Sequence, residues 1–207
     1  MQQQDQLRDP RDVLGKVHRV LTGELLRLMD GFYNNIEESL FELAYQSEDD
    51  SQRRRCFDLM RELRFRRAGL IKHFARSIEK YKSLWFNDDL LPELKAGQEL
   101  DDLVMRMADK TSAHFEGVLQ QIAERVGHAT QRQLAVANMP IAPKSVAMAF
   151  VICCRSLRMD TASIEIVQQL FSRFVLDGLG AVYGSINHDL RESGYLTLEE
   201  TRMVSGT

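Results

Sequence analysis

A chain of 207 residues is long enough for one large domain or two small ones, and it buries roughly 70% of its unfolded surface without needing disulfides or metal. An apolar fraction of 44%, a charged fraction of 28% and a formal net charge of −3 are those of a soluble globular protein, and they exclude a polyanion binder that acts through bulk charge. The three cysteines, Cys56, Cys153 and Cys154, make no disulfide framework and point to a reducing compartment.

The opening "MQQQDQLRDPRDV" lacks the apolar core of a signal peptide. No run approaches the roughly 20 apolar residues of a membrane span, so the expected location is the cytoplasm. Residues 1–9 are expected to be disordered. Asp9-Pro10 is a helix start, with a capping carboxylate before a proline at the first helical position. A helix follows to about Leu21, and Thr22-Gly23 either breaks or weakens it. Leu25, Met29, Phe32, Tyr33, Ile36, Leu40, Leu43 and Ala44 then recur at helical spacing. That helix should stop near Ser47 to Asp50, where Asp50 or Ser51 caps the next.

The helix from 51 to about 86 carries the densest charge. On a wheel centred on Met60, Cys56, Phe57, Leu63, Leu70, Ile71, Phe74 and Ile78 share its side. Arg54, Arg61, Lys72 and Arg76 form one flank of the opposite face. Arg64 and Arg67 fall within the apolar arc and need acceptors. The preceding helix supplies them, since its acids from Glu24 to Asp50 face Arg27 as their only base. The two helices should pair antiparallel, with Glu37 meeting Arg64 or Arg67 as structural ion pairs. Nucleic acid is the disfavoured alternative, because acid lies beside the arginines and the aromatics face the core.

"NDDLLPELKAGQEL" is expected to be a linker. A further helix runs from about 99 to Val126, with His114 and Phe115 in its apolar stripe and Gly127 as its stop. "HATQRQLAVANMPIAP" is a loop. Pro143 starts "KSVAMAFVICCRSL", apolar nearly all round and therefore central. Asp160 caps a last long helix, 161–193, ended by Gly194. The predicted fold is all-α: a bundle of about five to six helices, with long antiparallel pairs around the central apolar helix, forming one domain over 10–196. Residues 197–207 are a tail or the start of a further region.

Known chemistries find little support. "GLGAVYG" (178–184) lacks the spacing of a dinucleotide loop and sits within helix, so Gly178, Ala181 and Ser185 are expected to form a small-residue contact face. His114 is expected to be a hydrogen-bonded core residue, and no histidine has the spacing of a metal site. Cys153 and Cys154 are expected to be buried and inert. No catalytic residue, metal or cofactor is predicted.

Three segments, "LFELAYQSEDDSQRRRCFDLMRELRFRRAGLIKHF" (40–74), "ANMPIAPKSVAMAF" (137–150) and "LFSRFVLDGLGAVYGSINHDLRESGYL" (170–196), resemble the bacterial family called domain of unknown function sixteen thirty-one. The resemblance implies a bacterial cytoplasmic protein with a regulatory or scaffolding role, in a family whose members are usually longer. The thymidine phosphorylase label often attached to members would require a phosphate-binding loop on an α/β scaffold, which this sequence lacks. Three functions stay open. The first is a non-catalytic interaction module with a protein partner or self-association. The second is an anionic-ligand site at Arg54, Arg61, Lys72 and Arg76. The third is an enzyme whose polar groups converge near His114.

Overall fold

Pro10 opens α1 (Pro10–Gln46) because its missing amide costs nothing in the first turn, and the Asp9 carboxylate accepts from the Arg11 amide at 2.8 Å. The computed structural model describes residues 9–86, 99–157 and 159–205, with side chains from 102 onward in the second stretch and up to 203 in the third. The expected disorder at 1–8 and the linker over 87–98 lie outside the described residues. Thr22-Gly23 does not break α1. The Thr22 hydroxyl donates to the His18 carbonyl at 2.9 Å and is satisfied inside the helix.

Asp49, not Asp50 or Ser51, caps α2 (Asp50–Lys80), taking the Ser51 amide at 2.8 Å. A 3₁₀ turn, Tyr81–Trp85, extends α2 and returns to the start of α1, where the Trp85 indole donates to Nδ1 of buried His18 at 3.1 Å.

Two expected long helices are each interrupted. The 99–126 helix breaks into α3 (Glu99–His114) and α4 (Glu116–Thr130) at Phe115. No proline causes this. The Phe115 ring turns inward and meets Tyr183 edge-on, with ring centres 5.4 Å apart. It lies over Gly180, where an added Cβ would come within 2.9 Å of it. α4 passes Gly127 and stops after Thr130, with Gln131 left-handed at φ 55°. The 161–193 helix divides into α6 (Thr161–Phe171), a π turn at Ser172–Leu176, and α7 (Leu179–Glu192). The small-residue face differs from the expectation as well. Gly178 is held close to Leu28, 2.7 Å from where its Cβ would lie, while Ala181 and Ser185 are exposed.

α5 (Pro143–Cys154) is buried apart from Lys144 and half-buried Ile152, and it packs mainly against α2 and α3. Contrary to the expectation that no run approaches a membrane span, the stretch Val136–Cys154 has the length and mean hydropathy, 1.5, of one. It is 72% buried inside the protein, and only twelve of its residues form α5. It is the core helix of this bundle. Phe150 of α5 stacks on Phe171 of α6 at 3.8 Å, and Phe32 from α1 stands beside the stack at nearly right angles to both rings, 5.9 and 6.2 Å away. Each such ring pair adds about 0.5–1.5 kcal/mol beyond area burial and ties three helices at one point. The architecture is all-α, with no strand among the described residues.

The segment after 196 is more than a tail. Thr197 caps α8 (Leu198–Ser205) in a reciprocal box: its amide donates to Glu200 at 2.9 Å, and the Glu200 amide donates to its hydroxyl at 3.3 Å. The same Glu200 carboxylate receives buried Arg125 of α4 through two nitrogens, at 2.8 and 3.0 Å. The guanidinium also donates to Asn187 and to the Tyr195 carbonyl, which brings four of its five N–H groups into hydrogen bonds.

These bonds, Arg125's first, hold the Glu200 carboxyl at about 2 against a usual 4.5. A depressed carboxyl contributes stability that is complete above about pH 4.5 and is lost as pH falls toward 2. Arg125→Met should therefore cost about 3 kcal/mol at pH 7 in urea unfolding. The difference from wild type should shrink across that acid window. A difference that stays constant with pH would show that Arg125 acts through packing alone.

Candidate functional site

α1 and α2 form an antiparallel hairpin that shares its longest contact. Arg64 of α2 reaches both carboxylate oxygens of Glu37 on α1, one at 2.8 Å. Three residues on, Arg67 donates to Asp30 at 2.8 Å and lies 5.8 Å from the centre of the Tyr33 ring. The Arg64 guanidinium pulls the Glu37 carboxyl below its ordinary value, and Glu37 raises Arg64 in return. Arg64 does not lie in the apolar arc where the wheel put it; its side chain is exposed, and Arg67 is half-buried. Exposed pairs contribute little to stability, but a bidentate pair fixes the level at which two rods meet.

The outer face of this hairpin is the unusual surface. Six large apolar side chains are exposed among the described residues, and four are rings on these two helices: Phe41 (54%), Tyr45 (84%), Phe57 (49%) and Phe65 (85%). The sequence reading placed Phe57 on the apolar face; it lies at the edge of that face, and half of it meets solvent. Phe41 and Tyr45 follow Glu37 by one and two turns, off the buried stripe of Leu25, Met29, Ile36 and Leu40. Stepping up α1 is stepping down α2, so the two ion pairs set Phe41 level with Phe57–Asp58, Glu38 level with Arg61, and Tyr45 level with Arg54.

The four cations singled out for an anionic ligand are not brought together. Arg54 and Arg61 line a cleft of about 800 Å³ between the starts of α2 and α6. Lys72 lies about 16 Å farther along α2, with Arg76 beyond it. Carboxylates outnumber cations in that cleft: Asp49, Asp50, Asp58, Glu62 and Asp160 stand against Arg54, Arg55 and Arg61. Arg61 is paired with Asp58 at 2.9 Å and Arg55 with Asp160 at 3.2 Å. Bonds from Ser163, capping α6, and then from Arg55 hold the Asp160 carboxyl down. An anion entering here meets net negative charge. Among the described residues Arg54, Lys72 and Arg76 take part in no ion pair, and neither do Glu38 and Glu42 across the seam.

His114, the last residue of α3, is exposed at the α3/α4 break and not in the core, because it lies at the edge of the arc set by buried Val104, Ala108 and Thr111. With Lys110, Gln169, Ser172, Arg173 and Asp177 it lines a cleft of about 520 Å³ against the π turn. Its ring meets Phe115 edge-on at 4.6 Å, and no nucleophile–base pair lies within hydrogen-bond reach of it among the described residues. Cys56, Cys153 and Cys154 are buried free thiols. Burial pushes the Cys153 thiol up to about 12 and Cys154 higher still, which leaves no thiolate at neutral pH. No group of three or more metal-binding side chains occurs among the described residues.

The profile of the family described as "Protein of unknown function (DUF1631) N-terminal domain" matches residues 9–85 and 96–194, and the chain belongs to that family. No curated protein and no solved structure matches it significantly.

The thiols offer a direct check on the packing around α5. An aromatic disulfide reagent at pH 8 should leave all three cysteines untouched in the native protein and titrate all three in guanidinium. Prompt reaction of any one in native buffer would contradict the burial described for α2 and α5.

Proposed function

We propose that this family member is a non-catalytic interaction module that docks a protein partner on the outer face of the α1–α2 hairpin. One observation carries the reading: Phe41, Tyr45, Phe57 and Phe65 stay exposed on one face of a protein that buries Phe32, Phe74, Trp85, Phe150 and Phe171 completely. An exposed ring forgoes about 1.5–3 kcal/mol of burial, so a cluster of them marks a surface that is covered in the working assembly. Aromatic and arginine side chains, here Arg54 and Arg61 beside the rings, are the types that dominate binding energy at protein interfaces. The role that follows is scaffolding or regulation by association.

Binding of a nucleotide or nucleic acid through Arg54, Arg61, Lys72 and Arg76 has weaker support. Two of the four stand in a cleft with an excess of carboxylate, and the other two lie more than a helical turn away.

Tyr45→Ser with Phe65→Ser removes the two most exposed rings and touches no buried contact, so the melting temperature should hold. Wild-type and doubly substituted chains, each tagged and produced at native level, are compared by affinity capture. The wild type should retain proteins that the variant loses. Equal recovery by both chains would remove the docking surface from this face.

A further inference from the structure

We propose that the outer face of the α1–α2 hairpin binds a second copy of this chain, across a two-fold axis parallel to the two helices. This rests on the docking reading above and names the occupant. The hairpin presents two rows side by side, one acidic and one basic. Glu38 and Glu42 belong to α1, Arg54 and Arg61 belong to α2, and the rings lie between and beside them. Glu38, Glu42 and Arg54 take part in no ion pair among the described residues, whereas Arg61 is already held by Asp58 at 2.9 Å, so Arg54, Asp58 and Arg61 together leave the α2 row one net positive charge against the two negative charges of the α1 row.

A face-to-face homodimer has two simple choices of axis. With the axis across the helices, α1 lies on α1 and α2 on α2. Acid then meets acid and arginine meets arginine, which costs free energy at every level of the interface. With the axis along the helices, heights are preserved and the rows exchange, so α1 of one copy covers α2 of the other. The level of each residue now matters, and the Glu37–Arg64 and Asp30–Arg67 pairs have set it. Glu38 comes over Arg61, Glu42 over Phe57 with Arg54 and Arg61 on either side, Phe41 over Phe57, and Tyr45 over Arg54. Glu38 and Glu42 come within reach of Arg61 and Arg54, Phe41 and Phe57 meet each other, and Tyr45 meets a guanidinium face, while Phe65 falls level with Asn34 and Asp58 stays on Arg61. The match holds along the half of the hairpin nearest its turn. Farther down, Lys72 falls over Arg27, so the contact ends there.

A fully buried aromatic removes about 150–250 Å² from water, and these rings are half to five-sixths exposed. Four rings on each of two copies then bury on the order of 1,000 Å², the lower bound for a specific interface. A reversible dimer is expected, and no obligate one.

The test is sedimentation velocity on the whole chain, from about 5 to about 500 µM, with three variants whose folding is checked by circular dichroism. The wild type should pass from 23.8 kDa to twice that mass. Glu38→Arg with Glu42→Arg should weaken the dimer at least tenfold, and so should Arg54→Glu with Arg61→Glu. An equimolar mixture of these two should recover dimer to within about threefold of wild type, since each basic row then meets an acidic one. Tyr45→Ser with Phe65→Ser should abolish the dimer without changing charge. A dimer that survives both reversals, or a mixture that stays monomeric, overturns the proposal. A wild type that is monomeric throughout overturns it too. If the ring variant nevertheless loses captured proteins, the docking surface stands and only its occupant was wrong; if it loses nothing, both readings fall.

Discussion

Arg64 grips Glu37 from the neighbouring helix, and Arg67 holds Asp30 one turn on while its guanidinium lies near the Tyr33 ring. These contacts contribute little net stability, because Arg64 is exposed to solvent and screened. Their consequence is positional. Two long helices with continuous apolar stripes can slide by a turn and still bury leucine on leucine. A bidentate ion pair cannot slide, so it converts a loosely specified contact into one register. Once the level is fixed on the inner seam, it is fixed on the outer face as well. The positions of Glu38 against Arg61 and of Phe41 against Phe57 follow with no further contact.

The remainder of the fold makes that hairpin rigid enough to present a surface. Phe32 carries α1 into the stacked pair Phe150–Phe171, and Trp85 returns the end of α2 to His18 near the start of α1. Both helices are therefore pinned at points well apart, and the hairpin behaves as one body. Elsewhere in the bundle, Arg125 of α4 holds Glu200 and with it the start of α8. Rigid presentation matters for association because ordering cost at the interface is met in advance.

Much of this was readable from the residues, and the exceptions share one cause. Asp9-Pro10, Pro143 and Asp160 announce helix starts through local chemistry, and the structure places helices there. The partition of acid to one helix and arginine to the next singled out Glu37 as an acceptor, because charge balance is a property of composition. The break at Phe115 was invisible. The Phe115 ring at the break packs against Tyr183 and Gly180, some 65 residues away, a contact that no local pattern announces. His114 ends α3 at the edge of its buried arc, and the break immediately after it leaves the side chain at the surface. The π turn at Ser172–Leu176 has no proline or other local signal in its five residues. The Arg125–Glu200 latch left one sequence signal, the Thr197-x-x-Glu200 box. The exposed face left another: Phe41 and Tyr45 are large rings that fall outside the stripe running through Leu40 and Ala44.

The central claim is that two charged rows of opposite sign, held level by the seam, select one symmetry axis. A spin label at Gly23→Cys tests it most directly. The position is exposed on α1 with open space around it, and the native thiols are buried and will not take the label. Position 23 lies about 27 Å along the helix from Phe41, near the middle of the contact. An axis parallel to the helices keeps the two labels level, so dipolar spectroscopy on the dimer should give a distance of about 20–25 Å. A distance of about 50 Å or more would mean that like-charged helices cross in opposite directions, and would contradict the account.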